Sequence, residues 1–493
     1  MTVKSRMLKY TAVMTAVNLI MKSVAVSFNA YLTARIGTEG IGLFQLIMSV
    51  YSLAVTAASA GVKLSSMRMT VELTASGKSD LFRTLSRIIG YALFCSTLTM
   101  LILIVFSDFI SIRFISDASS ARALRILALS LPFVSISSAL GGYFTAIEKI
   151  PQFSSVQLIE QGFKIAVTVI LINRIDCNST ASSICAIAAG MTAAEMFSAS
   201  LSMLLKRLYK PESNGKRAAE FIKILRIALP DGAGTFLRSL LLTAEHLLIP
   251  KCLKRNGNNT AFALSAYGAI HGMALPVLLY PNAVLLSFST LLISDLARKN
   301  EKGLQKQINN SVKKNLKRTF FYSAACGVFF FFGSETLSMI IYKNNEAAQY
   351  IKILAPLVPV MYLDTVTDGM LKGLDQQIHS MRYNIFDSAL CIALVCILLP
   401  KYSVKGYIFI LYLSELINFY LSFSRLTEVC DIEISGRIKA VLKPQEDNPI
   451  HAALKKRSGA RTENEYRTYQ GREKRSRDLR FCRKKGRIQD PRV

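Results

Sequence analysis

Residues 125–142 read RILALSLPFVSISSALGG, and residues 352–369 read KILAPLVPVMYLDTVTDG. Laid over each other without a gap, 227 residues apart, the two stretches share Ile126 with Ile353, Leu127 with Leu354 and Ala128 with Ala355. Pro132 falls on Pro359 and Gly142 on Gly369. A proline and a glycine at fixed spacing mark one helical unit present twice. Each copy is apolar over the length that crosses a hydrocarbon core, about 20 residues as helix.

Working outward, such blocks recur along the chain. They fall at about 10–33, 42–62, 86–107, 123–146, 153–173, 181–205, 224–249, 264–293, 318–341, 350–371, 382–400 and 405–425. In lipid every backbone polar group must be satisfied internally, so blocks of this length read as helices even where Val and Ile abound. The expected fold class is therefore an all-α integral membrane protein with about twelve transmembrane helices. The repeat makes each copy the fourth span of a six-helix half, with residues 1–205 and 224–427 as the halves and 206–223 as a linker. Six spans per half give the copies parallel topology, an architecture in which transporters bind cargo between the halves. The eighth span carries Pro276 and Pro281 and is expected to be kinked or broken.

Composition agrees. Of 493 residues 51% are hydrophobic and 19% charged, with mean hydropathy +0.34. The net charge of +28 resembles that of a nucleic-acid binder, but it sits in alternate loops and in the C-terminal tail. Lys4, Arg6 and Lys9, then Lys63, Arg68, Lys78 and Arg83, then KRLYKPESNGKR and ARKNEKGLQKQINNSVKKNLKR, all fall on one side if every span crosses. That side is expected to be cytoplasmic, with both termini. KCLKRNGNN, after the seventh span, is basic on the opposite side and departs from the pattern. The tail, residues 428–493, reads as a basic cytoplasmic segment, disordered from about 445. No nucleic-acid partner follows.

The nine cysteines are scattered, without a C-x-x-C pair, so neither zinc nor a disulfide framework is indicated. No cofactor or metal is expected. A cleavable signal peptide is not evident. There are four histidines and no H-E-x-x-H, G-x-S-x-G or phosphate-binding glycine loop, which points to a transporter rather than an enzyme.

Charge inside a span costs at least about 2.5–3.5 kcal/mol on insertion scales and asks for a reason. Lys22 lies deep in the first span, Glu160 and Lys164 in the fifth, Glu195 in the sixth, Arg238, Glu245 and His246 in the seventh. His271 opens the eighth, Asp364 and Asp368 lie in the tenth and Glu415 in the twelfth. Lys22 and Arg238 stand on the first helix of each half, where two cations suit a diphosphate. Lys164 and His271 are further candidates for the cavity wall. Asp364 and Asp368, one turn apart, are candidates to couple an ion, with Glu245. The plainer reading pairs these cations with the Glu residues or lets them snorkel. Glu195, Glu415 and Asp368 suit helix–helix contact.

ARIGTEGIGLFQLIMSVYSLAVTAASAGV (34–62), LRILALSLPFVSISSALGGYFTAIEK (124–149), ILRIALPDGAGTFLRSLLLTAEHLLIPKCL (224–253) and YGAIHGMALPVLLYPNAVLLSFSTLLISDLA (267–297) resemble polysaccharide exporters. These belong to the multidrug/oligosaccharidyl-lipid/polysaccharide (MOP) superfamily. The likeness is to its stage V sporulation protein B and lipid II flippase branch, over about residues 5–440. The resemblance implies two bundles in a V around a central cavity and export of a lipid-linked oligosaccharide by alternating access. It implies cargo contacts at Lys22, Glu39 and Arg68 by position. Lys63 departs from it, standing where relatives carry proline after Ala-Gly. The eighth span has His271 but no central arginine, a role open to Arg238. A basic tail replaces two further spans.

The function so expected is a flippase for an undecaprenyl-diphosphate-linked glycan, such as a peptidoglycan precursor, in a bacterial cytoplasmic membrane. Its partners would be that lipid-linked glycan, membrane lipids, a coupling ion and cell-wall synthesis proteins. The alternatives are a cation-coupled drug antiporter of the same superfamily, and a non-transporting envelope or sporulation scaffold.

Overall fold

The computed structural model describes residues 3–76, 81–174, 179–208, 221–254 and 259–430. Residues 209–220 of the expected linker and 431–493 of the expected tail lie outside them. All described secondary structure is helical, in one unit ending at Asp431.

The N-terminal half comprises α1 (Val3–Ala58), α2 (Val62–Ser76), α3 (Leu81–Ile110), α4 (Ser120–Ala128), α5 (Leu131–Ala146), α6 (Ile150–Arg174) and α7 (Thr180–Leu208). A π-helical turn, Ser111–Ile115, extends α3. The C-terminal half comprises α8 (Phe221–Lys254), α9 (Thr260–Tyr267), a π-helical stretch Gly268–Ala274, α10 (Leu275–Leu278) and α11 (Asn282–Glu301). It continues with α12 (Gln305–Tyr342), α13 (Ala348–Leu354), α14 (Val358–Gly373) and α15 (Gln377–Cys430).

Among the described residues eight helices are long and apolar enough to cross a bilayer, or nine with the α4–α5 pair, bent by 44°. Two of these cross twice. At about 1.5 Å per residue α1 and α15 would each exceed 80 Å, against a core of about 30 Å. The chain doubles back inside both. Gly37 breaks α1 at φ 71°, ψ 177°, the left-handed region glycine tolerates. As a result Asn29 on one side of the break and Ile41 and Gln45 on the other all reach Gly272. Ser403 breaks α15 at φ 52°, and Asp387 before it accepts a hydrogen bond from Ser414 after it at 2.7 Å. Against the roughly twelve crossings expected from the sequence, the described residues hold these eight or nine candidate spans, two of them long enough to double back, and the 34-residue α8 adds a further long helix that carries Asp231, Arg238 and Glu245. The eighth breaks where its prolines stand: Pro276 opens α10, and Pro281 immediately precedes α11.

The repeat is structural. Pro132 and Pro359 each occupy the first turn of a helix, after a short preceding helix and a break. There proline costs no hydrogen bond. Gly142 of α5 packs so closely on α2 that a Cβ would come within 2.3 Å of the Lys63 carbonyl oxygen. Gly369 of α14 packs on α11, where a Cβ would meet the Ser289 hydroxyl at 1.8 Å. The same glycine thus seats the same crossing in both halves.

Packing follows membrane rules. Interiors are rich in buried small and hydroxyl residues, such as Ser65, Ser66, Ser135 and Ser323. Their hydroxyls return to backbone carbonyls, as in Ser65 to Gly61 at 2.6 Å and Ser66 to Ala139 at 2.7 Å. Large apolar side chains face outward instead, with Phe94, Val105, Phe332 and Ile340 all exposed. Water would penalise such a surface and lipid does not. This is a multi-pass integral membrane protein.

Candidate transport site

The halves meet along α1 and α2 on one side and α8, α9, the π-helical stretch and α11 on the other. At both ends of this seam backbone lies on backbone. At the end marked by Gly37, a Cβ on Gly42 would fall 2.1 Å from the Leu264 carbonyl oxygen, and one on Gly268 would fall 2.3 Å from that of Thr38. Thr38 also donates to Glu346 across the seam at 2.5 Å, and Lys251 to the Arg113 carbonyl at 3.3 Å. At the opposite end a Cβ on Gly61 would lie 2.1 Å from the Ala228 carbonyl oxygen, and one on Gly232 2.7 Å from Ala60 Cβ. Lys223 forms an ion pair with Glu72 there at 2.5 Å.

Between these seams lies a cavity of about 250 Å³. From α1, Gln45, Ser49 and Ser52 line it at i, i+4 and i+7, one helix face. From α8 come Ser239, Thr243 and His246, and from the eighth crossing Tyr267 and His271. None of its lining residues carries a carboxylate or a fixed positive charge. The Thr243 hydroxyl spans the halves, donating to the Ser49 carbonyl at 3.1 Å.

The imidazoles form one cluster. His246 Nδ1 shares a hydrogen bond with the Tyr267 hydroxyl at 2.9 Å. His271 bonds to the Tyr407 hydroxyl and packs against His246 and Tyr267 at ring separations of 4.8 and 4.6 Å. Tyr267 and Tyr407 are fully buried, which ties the cavity wall to the twelfth crossing.

The residues singled out in the sequence fall in several places. His271 lines the cavity. Lys22 shares a face of α1 with Asn18 and Asn29, at i, i+4 and i+11. Those neighbours bond across the seam to Ser287 at 3.1 Å and to the Gly272 carbonyl at 3.3 Å, and Ser23 meets Tyr280 at 2.8 Å. Lys22 thus faces the C-terminal half, partly buried, without an ion-pair partner among the described residues. Arg238 is exposed, one turn before the lining residue Leu242 on α8, and reaches Asn384 at 3.4 Å. Glu39 and Arg68 are exposed, Glu39 two residues past the Gly37 break and Arg68 on α2 beyond Gly61. Lys164 lies within the N-terminal half, 5.8 Å from the Phe28 ring centre and within electrostatic reach of Glu160 and Glu195.

Asp364 and Asp368 part company despite their spacing. Asp368 is taken up by Lys372 at 2.6 Å and by Ser380. Asp364 accepts from Asn418 at 3.2 Å, while its other oxygen, like the Asn418 carbonyl, has no partner. Glu245 lies near Asp387, and Glu415 near Asp364 and Asp387, so acids of α8, α14 and α15 gather inside the C-terminal half. No cluster of three or more metal-ligating side chains occurs among the described residues.

The sequence did not single out Gln45, Ser49, Tyr267 or Tyr407. A signal existed for the first two: a polar stripe at helical spacing inside an apolar span.

An all-helical membrane bundle with an internal repeat and a polar cavity between α1 and α8 defines a membrane transporter rather than an enzyme. Residues 7–285 match the polysaccharide biosynthesis protein family, and the chain belongs to that family. It is 20% identical over 411 residues to stage V sporulation protein B of Bacillus subtilis (strain 168), covering 81% of this chain and 79% of that one. Among solved structures it resembles an inward-facing multidrug resistance MATE family transporter of the MOP superfamily, with TM-score 0.66 and 11% identity over 85% of this chain and 100% of that one. It also resembles the lipid II flippase MurJ in an inward closed conformation, with TM-score 0.64 and 14% identity over 84% of this chain and 87% of that one. At these identities the two structures speak for the fold alone.

Proposed function

We propose that the protein flips a lipid-linked oligosaccharide, of the undecaprenyl-diphosphate class, across the bacterial cytoplasmic membrane by alternating access. One observation carries the reading: a neutral, hydrogen-bonding cavity shares its seam with an unneutralised lysine. Hydroxyls, an amide and imidazoles suit sugar hydroxyls, which both donate and accept. Lys22, held in a span without an anion, suits a phosphate that brings one. Arg238, one turn from the cavity wall, supplies a second cation. An organic-cation antiporter would be expected to present carboxylates to its cargo, and here the acids stand outside the cavity lining.

In this reading the Gly61 end is cytoplasmic, because the basic segments around Lys63, Arg68 and Lys223 lie there. Arg68 receives the diphosphate at that mouth, Glu39 lies at the far exit, and both termini are cytoplasmic. The lipid-bearing tail of the cargo stays in the bilayer while its head crosses the cavity. Asp364 and Glu245, each within electrostatic reach of Asp387, couple an ion to the motion, with Asp368 held by Lys372. The family and the likeness to stage V sporulation protein B support cargo for a cell-wall or spore-cortex polymer, handed over from and to its synthesis enzymes.

The test is flipping of a labelled undecaprenyl-diphosphate sugar in proteoliposomes, wild type beside Lys22→Ala and Arg238→Ala. Protein-dependent flipping that both variants lose is expected. Uptake of an organic cation in place of flipping would establish the antiporter, and transport of neither would favour the scaffold.

A further inference from the structure

The basic stretch after the seventh span departs from the charge pattern of the other loops, and its lysines stand at the seam between the halves. α8 runs from Lys223, at the Gly61 end, to Lys251 and Lys254, at the Gly37 end. Its 34 residues span about 51 Å at 1.5 Å per residue. The hydrocarbon core is about 30 Å thick, so the two lysines stand at headgroup depth.

Both line a cleft across the seam. The N-terminal half contributes Leu46 of α1, with Phe114 and Ser116 from the turn after α3. The C-terminal half contributes the lysines and Thr260 of α9. Lys251 ties the two sides, donating to the Arg113 carbonyl at 3.3 Å, with its ammonium 5.9 Å from the Phe114 ring centre. The cleft measures about 20 Å³, room for one water-sized group. Its charge is one-sided. No lining residue is acidic, and neither lysine has an ion pair among the described residues. Arg113, exposed beside Phe114, adds a third positive charge. The acids flanking that turn are engaged, Asp108 by Arg125 and Asp117 by Ser119 at 2.7 Å. The cleft also opens beside lipid. Phe94, Leu98, Leu101, Val105, Phe109 and Ile112 are exposed at helical spacing along α3, an apolar row that leads to the Phe114 turn. Cations at the end of a lipid-facing row meet headgroups before they meet solutes.

We infer that this cleft binds a phosphate carried by a lipid of the adjoining leaflet, and that the bound lipid clasps the Gly37 end shut. One phosphate oxygen enters between the lysines, and the acyl chains lie along the α3 row. Because its walls come from both halves, the site is whole only while that end is closed. Its occupant therefore favours the closed form by the difference in its affinity for the two states. The clasp is separate from the central cavity. It needs neither the glycan cargo nor a choice of which side of the membrane the Gly37 end faces.

The test uses the full-length chain in neutral detergent at fixed ionic strength. Short-chain phosphatidylglycerol is titrated and read by thermal stabilisation, beside phosphatidylcholine of the same chain length, and is expected to bind more tightly. Lys251→Gln with Lys254→Gln keeps hydrogen-bond donors and removes both charges, and should weaken that binding roughly 30-fold. Lys313→Gln with Lys314→Gln, at exposed positions on α12, should leave it unchanged. Should the first pair fail to stay monodisperse, Lys254→Gln alone is expected to weaken binding about 5-fold. In proteoliposomes without the native cysteines, phosphatidylglycerol should slow maleimide labelling of Ser52→Cys from the Gly37 face. Equal losses in the two variant pairs, or none in either, overturn the site. Binding that leaves labelling unchanged overturns the clasp. Undecaprenyl diphosphate displacing phosphatidylglycerol at lower concentration upholds the site and makes its occupant a diphosphate lipid. Inorganic phosphate binding as tightly as either lipid overturns the lipid assignment. Loss of flipping activity bears on the cargo and leaves these outcomes unaffected.

Discussion

Replacing Gly42 by alanine tests whether the glycine seams set the balance between the two faces of the transporter. The new Cβ would lie 2.1 Å from the Leu264 carbonyl oxygen and 3.2 Å from the Gly268 nitrogen. A carbon–oxygen contact relaxes at about 3.3 Å, so α1 and α9 must part by about 1 Å. Both contacting groups are backbone, so no side chain can swing away. Overpacking of this kind costs about 1–3 kcal/mol. At about 1.4 kcal/mol per tenfold, the closed Gly37 end loses roughly 5- to 150-fold in population against its open form. Gly232→Ala loads the opposite seam, where its Cβ would meet the Ala60 Cβ at 2.7 Å with the Ala60 backbone carbons at 3.1 and 3.2 Å. The assay is the rate at which a membrane-impermeant maleimide labels Ser52→Cys, a lining position, from each face in a background without the native cysteines. Gly42→Ala should speed labelling from the face at the Gly37 end, and Gly232→Ala from the other. If both variants shift the same way, or neither shifts while remaining folded, the seams are not the gates.

Further expectations are smaller in scope. Reversing Lys223 to Glu opposes it to Glu72 at the Gly61 end; exposed pairs are worth about 0–1 kcal/mol, so the melting temperature should hardly move while labelling from that face rises, and the swap Lys223→Glu with Glu72→Lys should restore it. Lys22→Ala should abolish flipping with the protein still inserted and monodisperse, and Lys22→Arg should retain much of it. Tyr407→Phe leaves His271 without its partner on the twelfth crossing, at a cost of about 1–3 kcal/mol for a buried orphan, to be read by thermal unfolding in detergent. Gly142→Ala drives a methyl into the Lys63 carbonyl oxygen and should lower stability by about 1–3 kcal/mol, to be read by thermal unfolding in detergent.

Much of the fold was legible because the bilayer imposes a length. Each expected span falls on a helix, and the Pro132–Pro359 and Gly142–Gly369 repeat carries over into identical helix starts and crossings. The reversals were less legible. Ser403, neither glycine nor proline, turns the chain between the last two crossings, and the sequence signals stood beside it, in Pro400 and Gly406. At the site, charge in a span was the readable signal, and it drew attention to Lys22, Lys164 and Asp364. Charge alone does not say whether a partner is already present. Asp364 and Asp368 look equivalent in sequence, yet Lys372 and Ser380 occupy one and leave an oxygen of the other free. The cavity's own chemistry is made of serines, glutamine and tyrosine. These are common in helices, and they gained meaning only once two distant segments were laid side by side.

The seams also bear on how such a chain drifts over generations. Where two helices meet through peptide groups alone, most neighbouring side chains carry no information about the fit, and substitutions there pass unnoticed by selection. The few positions unable to bear even a methyl, Gly42, Gly232 and Gly268 among them, then hold the mating surfaces in place. A lineage can rewrite most of its letters and keep its motion, so an ancestral reconstruction should find these glycines settled early and the cavity polar groups replaced many times around them.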